Sequence, residues 1–303
     1  MNALQVDSFR KRYGKRVILD DLSFTVQDNE TVGIIGHNGV GKTTLIESII
    51  GLRSGYGGKI RIYDQDIKTH AKAVKFMVGA QLQECVINKA MRVYECVQMQ
   101  AAAFGLKVDV NEQLKQFGLA EKKHAKFGNL SGGQQQRLFV LLSNIHNPKM
   151  LFFDEITTGL DPQARREVYK FIIDLKKQGK TVFFSTHIMD ELSLLCDRVI
   201  ILKNKKIFRN TKPDKLMDEL PFKYVSTFNT DETISQVSNF LTQNEIVFTI
   251  KSSSVTERQY EVYLADDVSK EKMASVMDKQ EQYTDFDIRK RNMDDVFKEF
   301  CTK

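Results

Sequence analysis

The sequence contains no run of apolar residues approaching the roughly 18 needed to cross a membrane as a helix. Its first residues, Met1 to Arg16, lack the apolar core of a signal peptide. Its four cysteines (Cys85, Cys96, Cys196, Cys301) lie far apart with no metal-ligand spacing. A chain of 303 residues can bury a substantial core without disulfides, so they read as reduced cytosolic thiols. Internal repeats and low-complexity tracts are missing too. Neither charge sign is in large excess: 45 basic and 39 acidic residues are interspersed, and a net charge of +6 gives no case for a nucleic-acid partner. These absences lead to the expectation of a cytoplasmic globular protein that meets a membrane only through a partner.

What is present is an alternation of strand-like and helix-like segments. Apolar runs over 3–6, 22–26, 31–35, 59–63, 150–153, 181–185 and 198–202 read as strands. Residues 45–50 read as a helix stopped by Gly51, and the pattern between Ile87 and Asn147 is helical. Strands separated by helices, with a helical insertion, predict an α/β domain around a mostly parallel sheet. Pro213 and Pro221 flank its end, so we place the domains at 1–220 and 221–303, with the helical part at about 84–147. The second segment reads strand, helix, two strands, helix, strand, which suits a small α+β unit of split βαβ type. The sequence alone does not give its strand order.

Gly36-x-x-x-x-Gly41-Lys42-Thr43 stands between a strand and a helix. Glycines there let backbone N–H groups turn toward phosphate oxygens, and the helix N-terminus adds a favourable dipole. Lys42 supplies a cation for the β and γ phosphates, and Thr43 a hydroxyl for Mg²⁺. Leu151 to Glu155 is an apolar strand ending in two carboxylates, which suits a metal ligand (Asp154) and a group for the attacking water (Glu155). Two solvated acids at a strand end are the bland alternative. Leu130-Ser131-Gly132-Gly133-Gln134 starts a helix, with Ser131 and Gln134 spaced for a capping box. Capping does not explain two glycines, which suit the close approach of an anion.

With these motifs the chain resembles the ABC ATPase superfamily, whose LSGGQ signature is complete here. Thr158-Gly159-Leu160-Asp161 and Ser185-Thr186-His187 follow in the family's order, so the resemblance spans nearly all of residues 1–210. It implies a phosphate-loop (P-loop) ATPase core with an antiparallel β subdomain and a helical subdomain, and it implies ATP and Mg²⁺ as cofactors. Gly36, Asn38, Gly39, Gly41, Lys42, Thr43 and Thr44 would cradle the nucleotide. Tyr13 would stack on adenine, although a tyrosine packed in a turn is the rival reading. Gln83 would join Thr43 and Asp154 at the metal, with Gln81 as a competitor. Glu155 would activate water, and His187 would orient it, unless His187 merely caps the following helix. Ser131, Gly132, Gly133, Gln134 and Asp161 would serve the nucleotide of an opposite subunit, and Asp161 also suits an N-cap before Pro162.

The family's proline after the two carboxylates is Ile156 here, and its Thr-Val-x-Glu is Arg92-Val93-Tyr94-Glu95. Met293-Asp-Asp-Val-Phe297 and the stretch 78–83 are similar to bacterial exporters of drugs, peptide antibiotics and amphiphiles. The implied partners are a separate membrane permease and a second ATPase subunit, identical or homologous, paired head to tail. The implied place is the cytoplasmic face of the cell membrane. Lipid or ion export is the runner-up. An ABC ATPase acting on ribosomes or DNA is disfavoured by the single ATPase unit and by the lack of a coiled-coil or zinc-cysteine insertion.

Overall fold

The computed structural model describes residues 1–83, 86–254 and 259–301. Cys85, the start of the expected helical part at 84 and the Cys301 side chain lie outside what is described. The chain divides into two compact units, Met1–Pro213 and Asp214–Lys303, so the expected boundary at residue 220 falls inside the second unit. Cys96 and Cys196 are free thiols. Among the described residues no helix is long and apolar enough to cross a membrane.

The first unit runs β1 (Asn2–Tyr13), β2 (Arg16–Gln27), β3 (Thr31–Ile35), α1 (Lys42–Ile49), β4 (Tyr56–Ile62), β5 (Gln65–Asp66), α2 (Ala71–Met77), β6 (Val78–Gln81) and α3 (Val93–Ala103). It continues with α4 (Val110–Gln116), α5 (Gly132–Asn144), β7 (Met150–Asp154), α6 (Pro162–Lys177), β8 (Thr181–Ser185), α7 (Met189–Leu195), β9 (Arg198–Lys203) and β10 (Lys206–Thr211). One sheet has the order β10-β9-β3-β8-β7-β6; its pairs are parallel except for the antiparallel edge strand β10. A second, antiparallel sheet has the order β2-β1-β4-β5. Every residue of β3, β7 and β8 is buried, as parallel strands covered on both faces require.

The two-residue period of a strand sends neighbouring side chains to opposite cores. Phe152 and Phe183 join Leu45, Ile46 and Ile49 of α1 and Leu4, Val6 and Phe9 of β1 in one cluster. Phe153 and Phe184 join α3, α5 and α6 through Val97, Leu141 and Val168 in another. The phosphate-loop helix is thereby anchored in the first core and the signature helix in the second. The helical part holds α3, α4 and α5. Three strands not foreseen, β5, β6 and β10, sit at the sheet edges.

The second unit contains α8 (Pro213–Asp218, beginning at the boundary residue), β11 (Tyr224–Asn229), α9 (Ile234–Gln243), β12 (Phe248–Ser254), β13 (Gln259–Leu264), α10 (Asp267–Met277), β14 (Thr284–Lys290) and α11 (Met293–Cys301). Its sheet order is β12-β13-β11-β14, with every neighbour antiparallel. This is the split βαβ arrangement. Phe228, Val262 and Leu264 of the sheet pack on Val237 and Leu241 of α9 and Met273 of α10.

Candidate functional site

In an open parallel sheet, ligands sit beyond the carboxyl ends of the strands. Three chemistry-bearing segments leave β3, β7 and β8 at that edge. After β3 the chain turns through Gly36–Gly41 into α1. Gly39 and Gly41 have φ of 79° and 111°, a left-handed region that a side chain disfavours. A Cβ at Gly36 would lie 2.7 Å from the Leu202 carbonyl oxygen, so only glycine fits there. Lys42 is buried, and its Nζ donates to the Gly36 carbonyl at 2.8 Å, drawing the loop over its own cation. A cleft of about 470 Å³ opens here, lined by Asn38, Gly39, Gly41, Lys42, Thr43 and Thr44. Tyr13, Gln83 and Glu155 line it too.

Tyr13 is 44% exposed, so the turn does not bury its ring. Its hydroxyl accepts from Arg53 Nη1 at 2.6 Å, and Lys11 Nζ lies 4.9 Å from the ring centroid. Hydrogen bonding to Glu47, then to Tyr13, raises the Arg53 pKa and keeps the guanidinium charged beside the ring.

Asp154 ends β7 and is fully buried beside Ser185 of β8, its register partner. Ser185 Oγ donates to Asp154 Oδ1, while Asp154 Oδ2 is buried with no hydrogen-bond partner. Glu155 leaves the strand with φ of 51° and donates its backbone N–H to Ser185 Oγ at 3.2 Å. The carboxylate therefore turns out of the sheet. Its Oε2 accepts from Gln83 Nε2 and Thr158 Oγ1, each at 3.4 Å, and lies 3.6 Å from His187 Nδ1. Gln81, the competing glutamine, is buried in β6 with Oε1 unpartnered and does not line this cleft.

A second cleft lies at the N-terminus of α5. Ser131 caps that helix in a capping box: its Oγ accepts from Gln134 N at 3.3 Å, and Gln134 Oε1 accepts from Ser131 N at 3.0 Å. Asp161 caps α6, accepting from the backbone N–H groups of Gln163 and Ala164 at 2.9 Å each. Both caps line this cleft, together with Gly133 and Arg137. No residue is common to the two clefts. Gly133 has a packing reason of its own: a Cβ there would meet the Ala164 Cβ at 2.7 Å, where α5 crosses α6. At Gly132 the nearest atom would be Leu160 Cδ2, at 3.5 Å.

The family described as ABC transporter matches residues 19–158, from early in β2 past Glu155. The Nod factor export ATP-binding protein I of Bradyrhizobium diazoefficiens is 35% identical over 222 residues, 72% of this chain and 72% of that protein. The chain belongs to the ATP-binding proteins of ABC transporters. The linearmycin resistance ATP-binding protein LnrL of Bacillus subtilis is 32% identical over 217 residues, 70% of each chain. Among solved structures, cbiO1 from Clostridium perfringens, part of the ABC transporter complex cbiONQ, aligns with a TM-score of 0.64 at 25% identity. That alignment covers 72% of this chain and 91% of cbiO1.

Members of this family hydrolyse ATP to power transport, so the two clefts belong to an ATPase. The residues at β7 fit a divalent cation: an unpartnered, buried carboxylate oxygen on Asp154 is the kind of atom a metal satisfies. Thr43 and Gln83 line the adjoining cleft with a hydroxyl and an amide, hard oxygen donors of the sort Mg²⁺ takes. Among the expected site residues, the ABC ATPase unit gathers Tyr13, the phosphate loop, Gln83 and Glu155 around one cleft. His187 is 44% exposed and reaches the group through Glu155. Ser131, Gly133, Gln134 and Asp161 lie in the other.

Sequence reasoning missed Arg16 and Ile18 in the first cleft and Arg53 beside Tyr13. It also missed Ser185 as the donor to Asp154. Ser185 stands in the quoted Ser185-Thr186-His187, so its place beside a carboxylate strand was the available signal. Arg53 carried none.

Proposed function

We propose that this chain drives an exporter of amphiphilic peptides, antibiotics or drugs, attached to the cytoplasmic face of the cell membrane through a separate permease. The observation that supports the mechanism is the pair of clefts with no residue in common, one lined by Lys42 and the other by Ser131. A second ATPase subunit, identical or homologous, placed head to tail sets the Ser131 cleft of one chain against the Lys42 cleft of the other. Each ATP is then held by Gly36, Asn38, Gly39, Gly41, Lys42, Thr43 and Thr44 of one subunit. Ser131, Gly132, Gly133, Gln134 and Asp161 of the other complete the hold, and Tyr13 stacks on adenine. ATP favours the closed dimer because only that state offers both halves.

Within the closed site Glu155 accepts a proton from water as it attacks the γ-phosphate, and His187 holds Glu155 and water in line. Lys42 bears on the β and γ phosphates. Mg²⁺ held by Thr43, Asp154 and Gln83 would neutralise charge on those phosphates. The unit Asp214–Lys303 takes the role of a regulatory or dimer-bracing domain, since it contains none of these groups.

The relatives named for Nod factor export and linearmycin resistance support export. The test is ATP-driven uptake of an amphiphilic peptide into inverted membrane vesicles that hold the chain and its permease. Uptake that disappears with Lys42→Ala supports the reading. Vesicles that hydrolyse ATP yet move only phospholipid or ions would overturn the cargo class.

A further inference from the structure

The second unit contains a cavity that the ATPase reaction does not use. It measures about 600 Å³ and is lined only by residues from 214 to 291. That volume is in the range of small-molecule pockets, and the lining is mixed, with six charged residues beside three apolar ones. Met217, Leu220 and Phe222 give it an apolar side, and Arg291 stands in its lining.

Arg291 is the unusual residue. It is 3% exposed, and its Nε and Nη1 are buried with no hydrogen-bond partner. Nη2 donates to the Asp295 carbonyl at 3.3 Å and lies 3.8 Å from Glu299 Oε2; the guanidinium carbon sits 4.7 Å from the Tyr263 ring centroid. One edge of the cation is therefore held in place while two donors are left without acceptors. Leaving donors of a desolvated charge unsatisfied is costly, so a group in this state calls for an explanation. An anion in the cavity would supply one.

The other charges around the cavity do not compete. Asp214, Asp218, Asp267, Lys223 and Lys290 are all exposed, so water and salt screen them. Asp267 also accepts from the Tyr224 hydroxyl. Arg291 is the charged lining residue removed from water; Glu299 offsets part of its charge from one edge, and the unpartnered Nε and Nη1 donors are what favour an anion.

We propose that the second unit binds a small carboxylate with an apolar body: the carboxylate on Arg291, the body against Phe222, Met217 and Leu220, and Lys223 and Lys290 at the rim. This site is independent of how the unit serves the ATPase dimer.

The probe is 4-phenylbutyrate, titrated calorimetrically into the full chain saturated with ADP, so that the phosphate loop is occupied. Its neutral counterpart, 4-phenylbutanol, is titrated alongside. Saturable binding of one phenylbutyrate per chain is expected, with the alcohol binding about tenfold more weakly or worse, as loss of a charge-assisted pair requires. Arg291→Met should weaken the carboxylate by a similar factor. Because that variant also loses the Asp295 contact, the exposed pair Lys223→Glu/Lys290→Glu provides a second reading that does not depend on it and should weaken the carboxylate but not the alcohol. Absence of saturable phenylbutyrate binding, equal binding of the alcohol, or rim and Arg291 variants that bind like wild type would each overturn the proposal.

Discussion

His187 Nδ1 lies 3.6 Å from Glu155 Oε2, joining the loops that follow two adjacent strands, β7 and β8. The contact places an imidazole beside the carboxylate that faces the phosphate-loop cleft. Gln83, two residues beyond the end of β6, approaches the same oxygen at 3.4 Å. Two separate segments thus converge on one carboxylate oxygen.

Glu155→Gln should keep ATP affinity and lose turnover by about 10²–10⁴-fold, the usual contribution of a general base. The amide is isosteric, so the φ of 51° and the Ser185 contact survive. ATP-analogue titration and steady-state phosphate release check the two halves. Near-normal release would remove Glu155 from its role.

Gly133→Ala should destabilise the protein by about 1–3 kcal/mol, because a Cβ at 2.7 Å from Ala164 forces α5 and α6 apart. Gly132→Ala, with 3.5 Å to its nearest neighbour, should cost far less. Thermal melts of the two variants separate packing from nucleotide contact. Equal melting temperatures would mean that the α5–α6 approach is not set by Gly133.

A third expectation concerns acid. Burial lowers the His146 pKa below 6.5, outweighing the hydrogen bond its Nε2 makes to the Val78 carbonyl at 3.0 Å. Its ring stacks on Phe104 at 3.8 Å, and Nδ1 is buried without a partner. The folded pKa is the lower one, so between it and about 6.5 the unfolded chain binds the extra proton. Stability from this site is therefore present above about pH 6.5 and falls as the pH drops toward the folded value. His146→Gln removes the titration, so the melting-temperature gap between wild type and variant should narrow on going from pH 7.5 to 5.5. A constant gap would contradict it.

The motifs were legible because each is a short run tied to one strand end: Gly36 to Thr43 after β3, Asp154 and Glu155 after β7, and Ser185 to His187 after β8. The mostly parallel sheet followed from the buried strands between helices. The edge strands were harder to see. Val78–Gln81 is four residues with a glycine, and its partner is far along the chain. The glutamine question was closed to sequence because residues 81 and 83 both point the same way along a strand, and only the end of β6 at Gln81 frees Gln83 to reach Glu155. Gly133 was credited to an anion alone; its contact with Ala164 depends on how two helices cross, which local pattern does not encode. In the second unit the element order was readable, but its strand order rests on long-range pairing. Arg291 gave no sign of its burial.

The most direct test of the two-chain site mixes Lys42→Ala subunits with Ser131→Arg subunits. Each homodimer lacks one half of both sites, whereas the mixed dimer rebuilds one whole site from wild-type halves. ATP hydrolysis by the mixture is measured against each parent, with heterodimers confirmed by differential tags. Hydrolysis clearly above both parents is the predicted result. No recovery in a mixture rich in heterodimers would contradict the account, placing the whole site within one chain or requiring both sites to act together.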